Sequence, residues 1–99
     1  MINLVLTYDW YDAIKLANKR TEFRANSPYW RSRLLHLRAG DKIAFKRGYS
    51  NKFKKIFAKV KAVRVIDNKQ LAEESVEASE FLRCFNISNT YIAIDFDLL

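Results

Sequence analysis

The chain has 99 residues, 49% of them hydrophobic with seven Phe, five Tyr and two Trp, which suits one domain with one core and excludes a disordered segment. Its single cysteine and single histidine exclude an intramolecular disulfide and a zinc finger or ribbon, and no apolar run approaches the roughly 20 residues that span a membrane. The net charge of +7 is polarised: sixteen Lys and Arg against two acids lie from Lys15 to Arg64, and two basic residues against nine acids lie elsewhere.

Such a field steers polyanions toward one face, although any single lysine also reads as an ordinary solvated position. The start, MINLVLTYDW, lacks the basic and apolar regions of a signal peptide. With one thiol and no membrane segment, the expectation is a cytoplasmic protein occupying residues 1–99 as one domain.

Ile2 to Leu6 is a short apolar run, expected as a buried strand. Asp9 is the expected cap of a helix in which Trp10, Ala13, Ile14 and Ala17 recur at helical spacing. Arg20 to Ala25 follows as a strand, with Thr21, Phe23 and Ala25 on one face and Glu22 and Arg24 on the other. Ser27-Pro28 opens a second helix, with Ser as cap, Pro in the first turn and Trp30, Leu34 and Leu37 as its buried stripe.

Ala39-Gly40-Asp41 makes a turn. From Lys42 to Tyr49 the pattern alternates, with Ile43 and Phe45 inward and Arg47 on their parity, so Arg47 emerges at a rim or pocket. Gly48 to Asn51 turns again, and Phe53 to Ile66 is one long strand, with or without a bulge. Ile56, Ala58, Val60, Ala62 and Ile66 are expected on one face, and Lys55, Lys59 and Lys61 on the other. Gln70 to Phe85 reads as one acidic helix with Ala78, Phe81, Leu82 and Phe85 on its stripe, and Tyr91 to Phe96 as the last strand. Short strands broken by short helices suit an α+β fold with a small curled sheet or barrel flanked by helices.

Lys19, Glu22 and Arg24 are the most informative charges. On one short rigid segment they either pair with one another or form a polar pocket floor. There Lys19 and Arg24 would grip phosphate or base oxygens while Glu22 accepts amino protons. Tyr29, Trp30, Arg33, Arg47 and Tyr49 interleave aromatics with arginines, as unpaired bases require. Trp30 also reads as core beside Leu34, whereas Arg33 and Arg47 lie among apolar residues where a charge needs a reason. Lys52, Lys54 and Lys55 form a basic loop suited to clamping phosphates. His36 is expected as a half-buried helix residue and Cys84 as a buried thiol. No glycine-rich phosphate loop or carboxylate cluster is present, so no cofactor is expected and a divalent metal is not indicated.

The stretch Ala17-Asn18-Lys19-Arg20-Thr21-Glu22-Phe23-Arg24 resembles the Gly-x-Lys-x-x-Glu-x-Arg signature of the ASCH domain, of the PUA-like superfamily. The likeness continues in Pro28-Tyr29-Trp30, Arg33-Leu34, Gly40-Asp41 and Phe45-Lys46-Arg47-Gly48-Tyr49. It implies a small PUA-like β-barrel with flanking helices, a cleft at one end and a role with RNA. One subgroup of that family is an N4-acetylcytidine amidohydrolase with a catalytic lysine, threonine and glutamate, and others look like ribonucleases. Lys19 matches the lysine, but the threonine position falls on Glu22, and Glu73, Glu74, Glu77 and Glu80 are all candidates for the distant glutamate. Ala17 stands where the signature has Gly.

Three functions are therefore carried forward. The first is an RNA- or nucleotide-binding domain, with Lys19, Glu22 and Arg24 as the floor of a cleft and Arg33, Arg47 and Tyr49 as its wall. Tyr29, Lys52, Lys54 and Lys55 complete the expected nucleic-acid contacts. The second is an RNA-directed hydrolase using Lys19 and Glu22 in the same cleft, and the third is a module that docks an acidic protein.

Overall fold

The computed structural model describes residues 1–83, apart from the Arg83 side chain, and 89–99. In chain order these form β1 (Ile2–Leu6), α1 (Tyr8–Leu16), β2 (Thr21–Ala25), α2 (Pro28–Leu34) and β3 (Lys42–Arg47). Then come β4 (Ile56–Asp67), α3 (Asn68–Glu74), α4 (Val76–Arg83) and β5 (Thr90–Leu98). Cys84 and Phe85 lie outside the described residues.

The strands make one sheet in the order β1-β3-β4-β5-β2. β1 runs parallel to β3 and the other neighbours are antiparallel. After β1 the chain crosses to the opposite edge, so β1 and β2 are the two ends of the sheet. No backbone ladder joins them. Instead the Arg24 guanidinium donates from Nη2 to the Val5 carbonyl at 3.0 Å, so one side chain spans the edges that a closed barrel would zip together. The expected barrel is therefore an open half-barrel, and the opening lies beside Arg24.

Alternation along the strands gives two apolar clusters. Ile43, Phe45, Ile92, Ile94 and Phe96 pack with Leu4, Leu6 and the helix residues Tyr11, Ile14 and Leu34. Phe23, Ile66, Tyr91 and Ala93 pack with Leu71 and Ala78 under α3 and α4. Both sheet faces are thus covered near β5, which explains why Tyr91 to Ile94 is buried without interruption.

Several boundaries differ from expectation for identifiable reasons. Thr7, not Asp9, caps α1 by accepting from the Trp10 amide at 3.4 Å, and Asp9 instead sits in the first turn, where its charge favours the helix dipole. Ser27 and Pro28 start α2 as the sequence indicates. In β4 a bulge between Val60 and Ala62 shifts the register. Ala62 therefore turns outward, Val63 packs on the first cluster, and Ile66 joins the second. The expected single acidic helix is two. Ser75 leaves the helical region at φ −157°, and its hydroxyl accepts from the Ala78 amide at 3.1 Å, capping α4 as α3 ends.

Gly48 ends β3 at φ +56°, and a Cβ there would lie 2.7 Å from Tyr8 Cε1. Both the turn and the Tyr8 ring therefore require glycine at this position. No described helix is long and apolar enough to cross a membrane.

Candidate functional site

The connection from α1 to β2 places Lys19. Asn18 takes the left-handed conformation at φ +57°, which asparagine tolerates better than most residues. The Lys19 amide then returns to the Ala13 carbonyl at 3.2 Å. Arg20 donates from Nη1 to the carbonyls of Ile14 and Lys19, both at 2.8 Å, putting a cation at the negative end of α1. So anchored, the Lys19 ammonium lies 5.1 Å from the Trp10 ring centre and 5.6 Å from that of Phe23. It donates to the Thr21 carbonyl and, at 3.3 Å, to Glu22 Oε1.

On β2, Glu22 and Arg24 lie opposite Ile94 and Ile92, so the strand turns two charges toward an apolar surface. The Glu22 side chain is only 4% exposed, and a polar group buried to that degree needs hydrogen-bond partners. Its Oε1 accepts from Lys19 and from the Phe23 amide at 3.2 Å. Its Oε2 accepts from Arg24 Nε at 3.2 Å and Nη2 at 2.9 Å. A carboxylate has about four acceptor positions, so Glu22 has none left for a ligand. The expectation that it accepts amino protons is replaced by a positioning role: it holds two cations in place.

Those cations are not fully used. An ammonium has three donors and a guanidinium five. Among the described residues, one Lys19 N–H and Arg24 Nη1 have no hydrogen-bond partner. Both side chains line a cavity of about 150 Å³ at the sheet opening. Val5, Leu6, Trp10, Phe23, Ala78, Phe81 and Leu82 supply apolar walls, and Thr7 adds a hydroxyl. The cavity thus pairs apolar walls with a cationic, donor-rich pole, and among the described residues Glu22 is its only acid.

The wall residues Trp10, Phe23, Phe81 and Leu82 were legible only as core. Phe23 is on the opposite strand face from Glu22, yet both border the cavity because it opens at a free sheet edge. Glu73, Glu74, Glu77 and Glu80 do not line this cavity, but Glu74 and Glu77 border an adjoining groove that Lys19, Trp10 and Phe23 also line. Among the described residues no group of three or more His, Cys, Asp or Glu could hold a metal ion.

The expected cavity wall of Arg33, Arg47 and Tyr49 does not form. Arg24 lies over the Trp30 ring at 4.7 Å, Trp30 meets Tyr29 edge-on at 4.9 Å, and Arg33 stacks over Tyr29 at 3.5 Å. This staircase carries Arg33 outward along α2, away from the cavity. Arg47 instead pairs with Asp12 of α1, Nε to Oδ1 at 3.1 Å, because its inward parity runs out where that helix crosses the strand end. The hydrogen bond from Arg47 holds the Asp12 carboxyl below the usual carboxylate range. Tyr49, Lys52, Lys54 and Lys55 are exposed in the segment that follows Arg47, and His36 is exposed in the turn after α2, not half-buried.

No family model and no curated protein sequence matches the chain. Solved structures do. ASCH from Zymomonas mobilis superposes with a TM-score of 0.70 at 18% identity, over 96% of this chain and 65% of that one. The chain has the ASCH-domain fold. The hypothetical protein PH0355 superposes with a TM-score of 0.68 at 21% identity, over 98% of this chain and 97% of that chain. This chain therefore spans about two thirds of the Zymomonas ASCH protein but nearly all of PH0355. Within the ASCH fold, the segment resembling the signature runs through the α1–β2 connection and most of β2, and it supplies all three charged residues of the cavity.

Proposed function

We propose that this protein binds RNA or a nucleotide by admitting one base into the cavity between β1, β2 and α4. The observation that carries this reading is the imbalance at the polar pole: two cations, one saturated acid and unspent N–H donors face an apolar chamber. Chambers near 150 Å³ hold a single benzene-sized ring. A base ring fits, with its carbonyl oxygens toward Lys19 and Arg24, while sugar and phosphate stay outside in the basic field. Trp10 and Phe23 supply apolar ring surface, and Tyr29 and Arg33 continue the cationic, aromatic path outside.

The test is a titration of labelled single-stranded RNA at several salt concentrations, with the parent and Lys19→Ala. Affinity is expected to fall steeply with salt as phosphates displace counterions. Lys19→Ala should weaken binding roughly ten- to a hundredfold, as loss of a charge-assisted hydrogen bond does. Salt-independent or absent binding would refute the reading.

A second reading rests on the same donors. Lys19 and Arg24 converge on one volume, and positioned donors of that kind stabilise a developing oxyanion. The cavity would then host hydrolysis of RNA or of a modified nucleoside, with Lys19 as the electrostatic group. A time course in which Lys19→Ala is as active as the parent removes this reading.

A further inference from the structure

A second surface lies on the other side of α1. The Arg47 guanidinium is 4.2 Å from the ring centres of both Tyr8 and Phe53, so it is sandwiched between them. Asp12 fixes it from below through both Nε and Nη2, at 3.1 and 3.2 Å. Tyr8 and Phe53 are nevertheless 53% and 44% exposed, and Tyr49, at the turn beside them, is 85% exposed. The buried Tyr11 hydroxyl donates to the Lys54 carbonyl, pinning the loop that carries Lys52, Lys54 and Lys55.

Three partly exposed aromatics gathered in one place are unlike apolar residues scattered singly over a surface. Here Tyr8 and Phe53 pack against the half-buried Arg47 guanidinium, Tyr49 follows it by two residues, and three lysines flank Phe53 in sequence. The acids nearby on α1 are Asp9 and Asp12, and Asp12 is consumed by Arg47. Excess positive charge beside exposed ring faces matches single-stranded nucleic acid, whose bases stack on rings while its phosphates meet lysines. An acidic protein surface would use the lysines but not the rings.

We propose that Tyr8, Tyr49 and Phe53, with Lys52, Lys54 and Lys55, form a stacking platform for single-stranded RNA that is separate from the cavity. Residues along a helix advance by about 100° each. Tyr8 and Trp10 thus point to nearly opposite sides of the first turn of α1, and Trp10 lines the cavity. One strand of RNA crosses that turn, seating a base in the cavity and stacking its neighbours on the platform. This rests on the proposed binding function, and the two engagements reinforce each other through their effective concentration.

The experiment compares a short fluorescein-labelled oligouridylate with uridine monophosphate, which is too small to span both places. Tyr49→Ala combined with Phe53→Ala should weaken the oligonucleotide roughly tenfold and leave the mononucleotide unchanged. Tyr49→Ala alone, at a highly exposed position, repeats the test without touching the Arg47 sandwich. Lys52→Gln with Lys54→Gln should reduce the salt slope by about two.

Oligonucleotide binding unaffected by these variants but weakened by Lys19→Ala would overturn the platform and leave the cavity reading intact. Loss in the platform variants with Lys19→Ala harmless would support the platform and overturn the cavity reading. No binding of either ligand by the parent would overturn both. Polyglutamate that displaces the oligonucleotide from parent and ring variants alike would overturn the platform in favour of an acidic protein partner.

Discussion

Two clusters of Arg and carboxylate sit on either side of β2 with opposite stoichiometry. At the cavity, Lys19 and Arg24 surround one acid, Glu22. On the far side, Arg64 of β4 serves two acids, Glu74 of α3 and Asp95 of β5. It donates from Nη1 and Nη2 to Glu74 at 2.8 and 2.7 Å and from Nε and Nη2 to Asp95 at 2.7 and 3.0 Å. Thr21 closes that network on Asp95 at 2.7 Å. The second cluster commits four of the five guanidinium N–H groups to its two acids and is partly exposed, so it acts as a strap between α3 and the sheet. The first keeps donors in reserve beside apolar walls. Similar residues make a fastening in one place and a binding pole in the other, and the difference lies in which charge is in excess.

The sharpest way to break this contrast is to remove each carboxylate charge in turn. Glu22→Gln leaves two cations in a nearly buried site without their counter-charge, and loss of a buried partner costs about 3–5 kcal/mol. Asp95→Asn removes one of two acids from a partly exposed strap, and exposed pairs contribute about 0–1 kcal/mol. Urea unfolding of both variants measures the gap. Equal losses would mean that the two clusters do not differ in kind.

Acid separates them next. The hydrogen bond from Arg64 lowers the Glu74 carboxyl from its ordinary value. Burial pushes Asp95 upward, but hydrogen bonds from Arg64 and Thr21 outweigh it and leave this carboxyl lowered as well. A carboxylate depressed on folding contributes stability that is present above its unfolded pKa, near 4, and lost as pH falls through the folded value. Arg64→Gln should therefore lower stability at neutral pH by about 1 kcal/mol or less and flatten the decline below pH ~4. Thermal melts across that window check both parts. An unchanged acid profile would show that the strap does not hold these protons off.

Much of this was legible in the residues. The order of strands and helices, the Ser27-Pro28 start of α2 and the shared face of Glu22 and Arg24 all follow from periodicity and local capping. What failed was what local pattern does not carry. The sequence allows a bulge in β4, but no Gly or Pro marks its place after Val60, so the expected faces of Ala62 and Ile66 are wrong. Ser75 reads as ordinary helix until its hydroxyl is seen capping α4. Arg47 was expected at the cavity because the sequence shows its parity but not that α1 crosses there with Asp12. The cavity charges were legible because they lie within six residues of one another. Its walls come from β1, α1, β2 and α4, and only the folded sheet edge brings them together.

The smallest expected effect concerns how the binding pole is aimed. In the ASCH signature that this segment resembles, glycine stands at the position of Ala17. The left-handed residue here is Asn18, one place later, and Ala17 has an ordinary negative φ of −122°. Glycine relieves strain only where φ is positive; elsewhere it adds disorder to the unfolded chain. Asn18→Gly should thus be neutral or stabilising by a few tenths of a kcal/mol, whereas Ala17→Gly should cost about 0.5–1 kcal/mol. Because Asn18 sets the direction in which Lys19 leaves α1, Asn18→Val should also weaken RNA binding, a β-branched residue being ill suited to that turn. If Ala17→Gly proved the stabilising change, the turn would sit one residue earlier. Lys19 would then leave the helix along a different path, away from the pairing with Glu22 on which the excess of positive charge depends.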